Sequence, residues 1–227
     1  MMQKKNLIVF DIDDTLTKSE DQHQTAYVNT MLHFGITDID MNWKDYTHHT
    51  DSYILKENYE RNKNNAFDFT FIPSFENKMT QSILSLPETK EIPGAKEIVK
   101  FFTNETDYGV CFATGSLLKP AFVKLQQAEI PFLPELVVAS NTMYEREKIV
   151  KNAIDKAKYF YKVDTFENII SIGDGIWDLK TARNLGLHFL GIREKNLVDF
   201  QQENIKSHIN DWMAFDFHKI KKQLEII

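Results

Sequence analysis

Three carboxylates follow directly on an apolar run in Leu7-Ile8-Val9-Phe10-Asp11-Ile12-Asp13-Asp14-Thr15-Leu16-Thr17. Like charges this close repel by about 1 kcal/mol per pair in water, and by several times that when partly desolvated. Packing gives no reason for such a cluster, whereas ligand chemistry does. In an extended segment residues i and i+2 share a side, which aims Asp11 and Asp13 at one ligand, and a divalent cation between them relieves their repulsion. The structural alternative is that Asp13 and Asp14 make a turn or cap the next helix, roles that aspartate also favours.

Two further apolar runs end in reactive groups. Phe112-Ala113-Thr114-Gly115-Ser116 offers a hydroxyl and backbone N–H groups that suit phosphate oxygens. The same tripeptide is ordinary loop chemistry when it stands alone. Ser171-Ile172-Gly173-Asp174-Gly175-Ile176-Trp177-Asp178 again delivers acids where a strand ends, with glycines that allow close backbone approach. Asp178 by itself is also a helix-start charge. Three such ends in succession on one sheet are hard to explain separately as caps.

The elements that must hold these ends read as α/β. Residues 7–11 suit a strand buried on both faces. Ala26, Tyr27, Thr30, Met31 and Phe34 recur at helical spacing between a Ser19 cap and a Gly35 stop. From there to Glu91 the chain is polar and aromatic, with Trp43, Tyr46, Tyr53, Tyr59, Phe67, Phe69, Phe71 and Phe75 but no short apolar runs, which predicts a helical insertion. Residues 67–71 alternate like a strand, yet Pro73 and helical neighbours favour a core for the insertion. Beyond Pro93-Gly94, helix and strand alternate: helices 94–104, 117–129, 145–161 and 177–185, strands 109–113, 136–139, 169–173 and 187–191. This is the rhythm of parallel βα units. A C-terminal helix after Asn210, carrying Trp212, Phe215, Ile220 and Leu224, is predicted to pack on the core.

Composition excludes several classes. The 227 residues carry 33 acidic against 27 basic side chains, a net charge of −6, so no basic footprint for nucleic acid exists. Gly and Pro number 8 and 6 while 42% of residues are hydrophobic, which argues for a folded chain. The longest apolar stretches are too short for a membrane helix or a signal-peptide core, so a soluble cytoplasmic protein is expected. Cys111 is the one cysteine, and its apolar neighbours predict inert packing.

The three motifs together resemble those of the haloacid dehalogenase superfamily: the first matches DIDDT (Asp11 to Thr15), the second ATG (Ala113 to Gly115), the fourth GDGIWD (Gly173 to Asp178). The likeness extends to Pro93-Gly94-Ala95 and to 179–186, covering 1–17 and 92 to about 192. It implies a Rossmann-like parallel sheet with helices on both faces, a catalytic core of residues 1–17 and 92–227, and a small helical cap of the family's first subclass at 18–91 that selects the substrate.

The resemblance also implies Mg²⁺-dependent phosphoryl transfer. Asp11 attacks phosphorus to give an aspartyl-phosphate, and Asp13 protonates the leaving oxygen, then activates water. Asp11 and Asp174 supply carboxylates to the metal and Asp13 its backbone carbonyl, with Asp178 acting through metal-bound water. Thr114, Gly115 and Ser116 hold the nonbridging oxygens. The basic third motif is assigned to Lys148, with Arg146 as its alternative and a plain solvated helix face as the third reading. His23, twelve positions after Asp11, matches a substrate-facing histidine of some sugar-phosphate members, although a solvent-facing helical histidine is the reading preferred here. Asp14 stands where the family usually has Gly, and either bonds the loop or biases the leaving-group side.

The function expected is a phosphatase acting on a small phosphorylated metabolite, as a monomer or homodimer without nucleic-acid or membrane partners. A sugar phosphomutase uses the same residues. A dehalogenase needs neither the metal nor the acid. Outside this class, a phosphate-binding or receiver-like protein shares acidic strand ends and a Thr and Lys, but a receiver lacks the large insertion and the GDGIWD ending.

Overall fold

Asn6–Phe10 forms β1, every residue buried. Its alternate side chains enter different cores: Ile8 and Phe10 join one apolar cluster and Leu7 and Val9 another. That division is what a strand covered on both faces requires, and it explains the unbroken apolar run. The computed structural model describes residues 3–205 and 207–226, so residues 1, 2, 206 and 227 of the expected core lie outside the described residues.

After the acidic loop, β2 (Thr17–Lys18) leads into α1 (Glu20–His33), α2 (Asp51–Lys63) and α3 (Ile72–Leu84). The chain then returns through β3 (Lys90–Glu91), which pairs antiparallel with β2, Thr17 opposite Glu91. This two-stranded ribbon is where the inserted helices leave and rejoin the rest. The insertion has its own apolar cluster, built on Tyr27, Met31, Leu55, Phe75 and Met79, with Phe67, Phe69 and Phe71 packed against it. The strand-like alternation at 67–71 is a 3-10 turn, Phe69–Phe71, started by Asp68 accepting from Thr70 N at 2.7 Å.

The remainder alternates α4 (Ala95–Glu105), β4 (Tyr108–Ala113), α5 (Leu118–Gln127), β5 (Val137–Val138), α6 (Arg146–Tyr161), β6 (Ile169–Gly173), α7 (Ile176–Leu185), β7 (His188–Ile192), α8 (Leu197–Gln202), β8 (His208–Ile209) and α9 (Phe217–Gln223). The strands form a six-stranded sheet in the order β5-β4-β1-β6-β7-β8. Each neighbouring pair is parallel. Helices α4 and α5 cover the face of Ile8 and Phe10, and α6 covers the face of Leu7 and Val9. The fold is therefore the expected Rossmann-like α/β sheet, with β1 between β4 and β6.

Two local readings change. Strand 136–139 shrinks to two residues, Val137–Val138, because the 3-10 turn Pro134–Leu136 takes Leu136, whose N–H donates to Leu133 O at 2.9 Å. The helix expected after Asn210 is a 3-10 turn, Trp212–Ala214, followed separately by α9, whose first turn Asp216 caps by accepting from Lys219 N at 3.0 Å. Trp212 is buried, and its indole donates to Thr15 O at 2.9 Å, bracing the acidic loop from below. Gly94 has φ +84, and a Cβ there would meet Trp212 Cβ at 3.1 Å, so both backbone and space demand glycine. The elements α8 and β8 had no expectation, being too short for periodicity to register.

Cys111 is fully buried in β4, and burial pushes its thiol well up, away from reactivity. Among the described residues no helix is long and apolar enough to cross a membrane.

Candidate active site

The parallel sheet brings the carboxyl ends of β1, β4 and β6 to one edge, which places Asp11, Thr114 and Asp174 side by side. Asp11 N donates to Ile172 O at 2.9 Å, the last rung of the β1–β6 ladder. Its carboxylate is buried, Oδ1 accepting from Arg146 Nη2 at 2.8 Å and Oδ2 from Thr15 Oγ1 at 3.2 Å. Arg146 Nη2 also binds Asp178. Asp178 in turn accepts from Gly175 N at 3.1 Å, holding the loop that carries Asp174. Asn196 Nδ2, at the start of α8, reaches Asp174 O at 2.7 Å and Oδ2 at 3.2 Å.

Burial, and then the charge of Asp178, push the Asp11 carboxyl up to about 8. Asp174 is also raised well above the ordinary range, by burial and then by Asp11, and Asp178 is raised by burial against the pull of Arg146. Oxygens of Asp11, Asp174 and Asp178 all lie within 4.8 Å of one another. Arg146 offsets charge at two of these acids, while Asp174 has the neutral amide of Asn196 in contact and the charge of Lys195 as a smaller influence. An all-oxygen, buried, under-neutralised donor set fits a hard divalent cation such as Mg²⁺.

Asp13 sits in a different environment. Its oxygens lie 2.6 and 2.7 Å from Lys124 Nζ, and Ser19 Oγ donates to Oδ1 at 2.5 Å. Burial opposes ionisation, but Lys124 and His23 outweigh it and hold Asp13 down to about 2. Lys124 is 1% exposed and also reaches Ser116 Oγ and His23 Nδ1, both at 3.1 Å. Sequence reasoning missed it. The available signal was a lysine on the apolar face of α5, with Ala121 and Leu125.

His23 is not solvent-facing. Its Nε2 lies 2.8 Å from Asp51 Oδ1, so the ring bridges Asp51 and Lys124 above Asp13. Asp51, also unforeseen, opens α2 and is fixed at four points. Its N donates to Gly115 O at 2.8 Å, Oδ2 accepts from Leu117 N at 2.9 Å, and its carbonyl accepts from Tyr27 Oη at 2.5 Å, with His23 at the other carboxylate oxygen.

Asp14 bonds the loop. It has φ +52, where the family's Gly is at ease and where Asp is among the better-tolerated residues. Its Oδ1 accepts from Ser19 N and Glu20 N, both at 3.3 Å, and Lys195 Nζ lies 2.6 Å from Oδ2.

The assignment of the basic residue to Lys148 is corrected. Lys148 is 64% exposed and paired with Glu145 at 2.9 Å, whereas Arg146 is buried against Asp11. Two residues along a helix turn the side chain by about 200°, so both cannot face the sheet edge. The neighbouring acids raise Arg146 further above its usual range despite burial, so it remains charged.

The loop of Thr114 to Ser116 is more tied than its sequence suggested. Ser116 N donates to Thr114 Oγ1 at 3.0 Å, an i to i+2 side-chain turn, instead of pointing outward. Thr114 retains its hydroxyl proton for a ligand. Gly115 needs to be glycine, because a Cβ would fall 2.5 Å from His49 O and 2.6 Å from Arg146 Nη1. His49 stacks on Trp177 at 4.5 Å, and burial and Arg146 lower its imidazole to about 4, leaving it neutral near pH 7.

A chamber of about 400 Å³ opens above these groups, lined by Asp11, Asp13 and Thr114 from the sheet edge and by His23, Trp43 and Ile54 from the insertion.

The sequence profile of haloacid dehalogenase-like hydrolases matches residues 8–192. Among curated proteins none matches the chain. Similar solved structures include a haloacid dehalogenase hydrolase, family IA, variant 3, from Entamoeba histolytica, at 17% identity, 97% of this chain, 99% of that one and TM-score 0.71. A provisionally assigned beta-phosphoglucomutase from Bacteroides vulgatus gives 18%, 99%, 90% and 0.67. A CbbY variant from Rhodobacter sphaeroides in complex with xylulose-(1,5)bisphosphate gives 16%, 94%, 96% and 0.66. At these identities the likeness is one of fold.

Proposed function

The chain belongs to the haloacid dehalogenase-like hydrolases, and on that premise we propose that it is a phosphatase of a small phosphorylated metabolite. The observation that carries the reading is the separation of two carboxylates two residues apart into opposite environments. Asp11 lies among Arg146, Asp174 and Asp178, and Asp13 lies on Lys124. One is placed to attack and the other to move a proton.

Asp11 Oδ forms a bond to phosphorus as the ester P–O bond breaks, giving an aspartyl-phosphate and releasing an alcohol whose oxygen takes its proton from solvent. Asp13, held as a carboxylate by Lys124, then accepts a proton from the water that attacks the phosphoryl group and restores Asp11. Arg146 keeps Asp11 oriented and offsets charge on the transferring group, and Thr114 Oγ1 and the Gly115 N–H donate to nonbridging oxygens. Asp11 and Asp174 would hold Mg²⁺, with the Asp13 carbonyl and Asp178 in support, and the ion would supply charge neutralisation for the phosphate. Residues 18–91 act as the cap that selects the leaving group.

The test is Asp11→Asn. It is expected to abolish Mg²⁺-dependent hydrolysis of an aryl phosphate, and to remove the acid-stable mass increment of one phosphoryl group that rapid quenching traps on the native chain. Undiminished turnover refutes the assignment. Product analysis with a hexose phosphate separates free phosphate from an isomerised ester, the outcome a phosphomutase gives.

A further inference from the structure

Aromatic residues of the insertion gather on its own core, and one of them also reaches the catalytic chamber. Phe67, Phe69, Phe71, Phe75 and Tyr59 fill the insertion's own core. Trp43 and Ile54 pack against that cluster and also line the catalytic chamber, together with Met41, and Trp177 faces it from the sheet side, backed by His49 in a stack 21° from parallel. Met41 is 55% exposed at this rim, an apolar side chain held open beside a charged site. Exposed apolar surface gathered at a pocket mouth is the complement of an apolar ligand.

The charges of the chamber point the same way. Asp51 and Glu20 stand in its wall on the leaving-group side, with Asp51 immobilised by four hydrogen bonds. Arg146 is committed to Asp11 and Asp178, and Lys44 is the one lysine lining the chamber among the described residues. A second phosphate held inside the chamber would meet fixed carboxylates and Lys44; of the other lysines lining the adjoining cleft, Lys180 and Lys195, the latter is already paired with Asp14 and Glu20.

The walls are also held in place. Leu117, from the core loop, is fully buried in the insertion's apolar cluster. Glu76 of α3 accepts from Lys119 N at 3.0 Å and from Asn141 Nδ2 at 2.8 Å, Thr50 Oγ1 donates to Tyr144 O, and Ser52 Oγ donates to Met143 O. Wall chemistry and a volume of about 400 Å³ therefore select the ligand.

Resting on the phosphatase reading, we infer that the substrate is a monophosphate whose leaving group has a planar, apolar body contacted by Trp43 and Trp177, with no second phosphate. This differs from the bisphosphate held by the CbbY structure. Trp43 is then a specificity-determining residue.

Non-hydrolysable phosphonates test this without the bias that aryl leaving groups introduce into rates. Calorimetry in Mg²⁺ buffer compares naphthylmethylphosphonate, a polyhydroxyalkyl phosphonate and an alkyl bisphosphonate. The aryl ligand is expected to bind at least about tenfold more tightly than either, and Trp43→Ala to reduce that ratio about tenfold, with Trp43→Phe keeping most of it. Equal or tighter binding of the bisphosphonate or the polyhydroxyalkyl ligand overturns the inference. So does a Trp43→Ala protein of native thermal stability whose ratio is unchanged. If the phosphonates rank as expected but no monophosphate is turned over, the phosphatase reading fails and only the chamber's preference for a planar apolar ligand stands; if monophosphates are turned over but the ranking is lost, this inference alone fails.

Discussion

Replacing Lys124 with Met removes a buried cation while keeping the length of its apolar stem. In the native protein Nζ lies 2.6 and 2.7 Å from the oxygens of Asp13, and together with His23 it brings that carboxyl from 3.8 to about 2 against the opposing effect of burial. Such a drop corresponds to about 2.5 kcal/mol of folding stability at neutral pH. The Asp13 side chain keeps 24% exposure, and solvent screening trims the figure to about 2 kcal/mol. Stranding a carboxylate whose remaining side-chain donor is Ser19 adds to this, so a loss of about 2–4 kcal/mol is expected. The sign with pH follows from the depressed folded value: the contribution is full above about pH 4 and is lost as the pH falls through about 2. Urea unfolding of native and Lys124→Met proteins should therefore differ most near neutrality and converge over that acid window. Adding Asp13→Asn to Lys124→Met should remove most of the difference. A loss under about 0.5 kcal/mol at neutral pH, or one undiminished near pH 3, refutes the reasoning.

Arg146→Ala should lower kcat by about 100-fold or more, whereas Lys148→Ala, at the surface, should stay within about twofold in both kcat and Tm. Equal effects in steady-state assays would return the basic role to an open question. Burial raises Asp11 to about 8 and lifts Asp174 and Asp178 as well, so the metal-free fold holds extra protons. Its stability falls as pH rises from about 4 through about 8. Mg²⁺ replaces those protons, so the Tm gain it gives should grow across that window, and thermal melts showing a pH-independent gain contradict the proposed ligand set. Gly115→Ala places a methyl 2.5 Å from His49 O, which should raise KM and cut kcat together as Arg146 and the α2 entry shift; unchanged kinetics would mean the loop gives way freely.

The sheet and its reactive edge were legible because a strand covered on both faces shows an unbroken apolar run whose end is visible. Asp11, Thr114 and Asp174 stand where those runs stop. What the sequence hid are charges neutralised only in three dimensions. Asp51 and Glu76 look like ordinary helix-surface residues, and Lys124 is marked only by its place on the apolar face of α5, until His23, Asp13 and the N–H groups of Leu117 and Lys119 are brought to them. His23 was misplaced for the same reason. Lys148 and Arg146 are two positions apart in a run of mixed charge, and only the helix phase set by Ile149, Val150 and Ala153 decides which one turns inward. The C-terminal break is local capping by Asp216, a signal that hydrophobic spacing alone passes over.

The position of β1 at the centre of the sheet also bears on biosynthesis. Its register partners are Tyr108 onward in β4 and Ile169 onward in β6, so the strand that carries Asp11 leaves the ribosome long before either neighbour exists. At roughly 5–20 residues per second, the wait for β4 alone is on the order of 5–20 s. Throughout that interval an apolar strand with two unsatisfied edges is at risk of pairing with another nascent chain. The helices made in between can fold around their own cluster and shorten the gap that β1 and β4 must close. Truncations ending before β4 should therefore be caught by chaperones or aggregate, and solubility should return once the chain extends past β6.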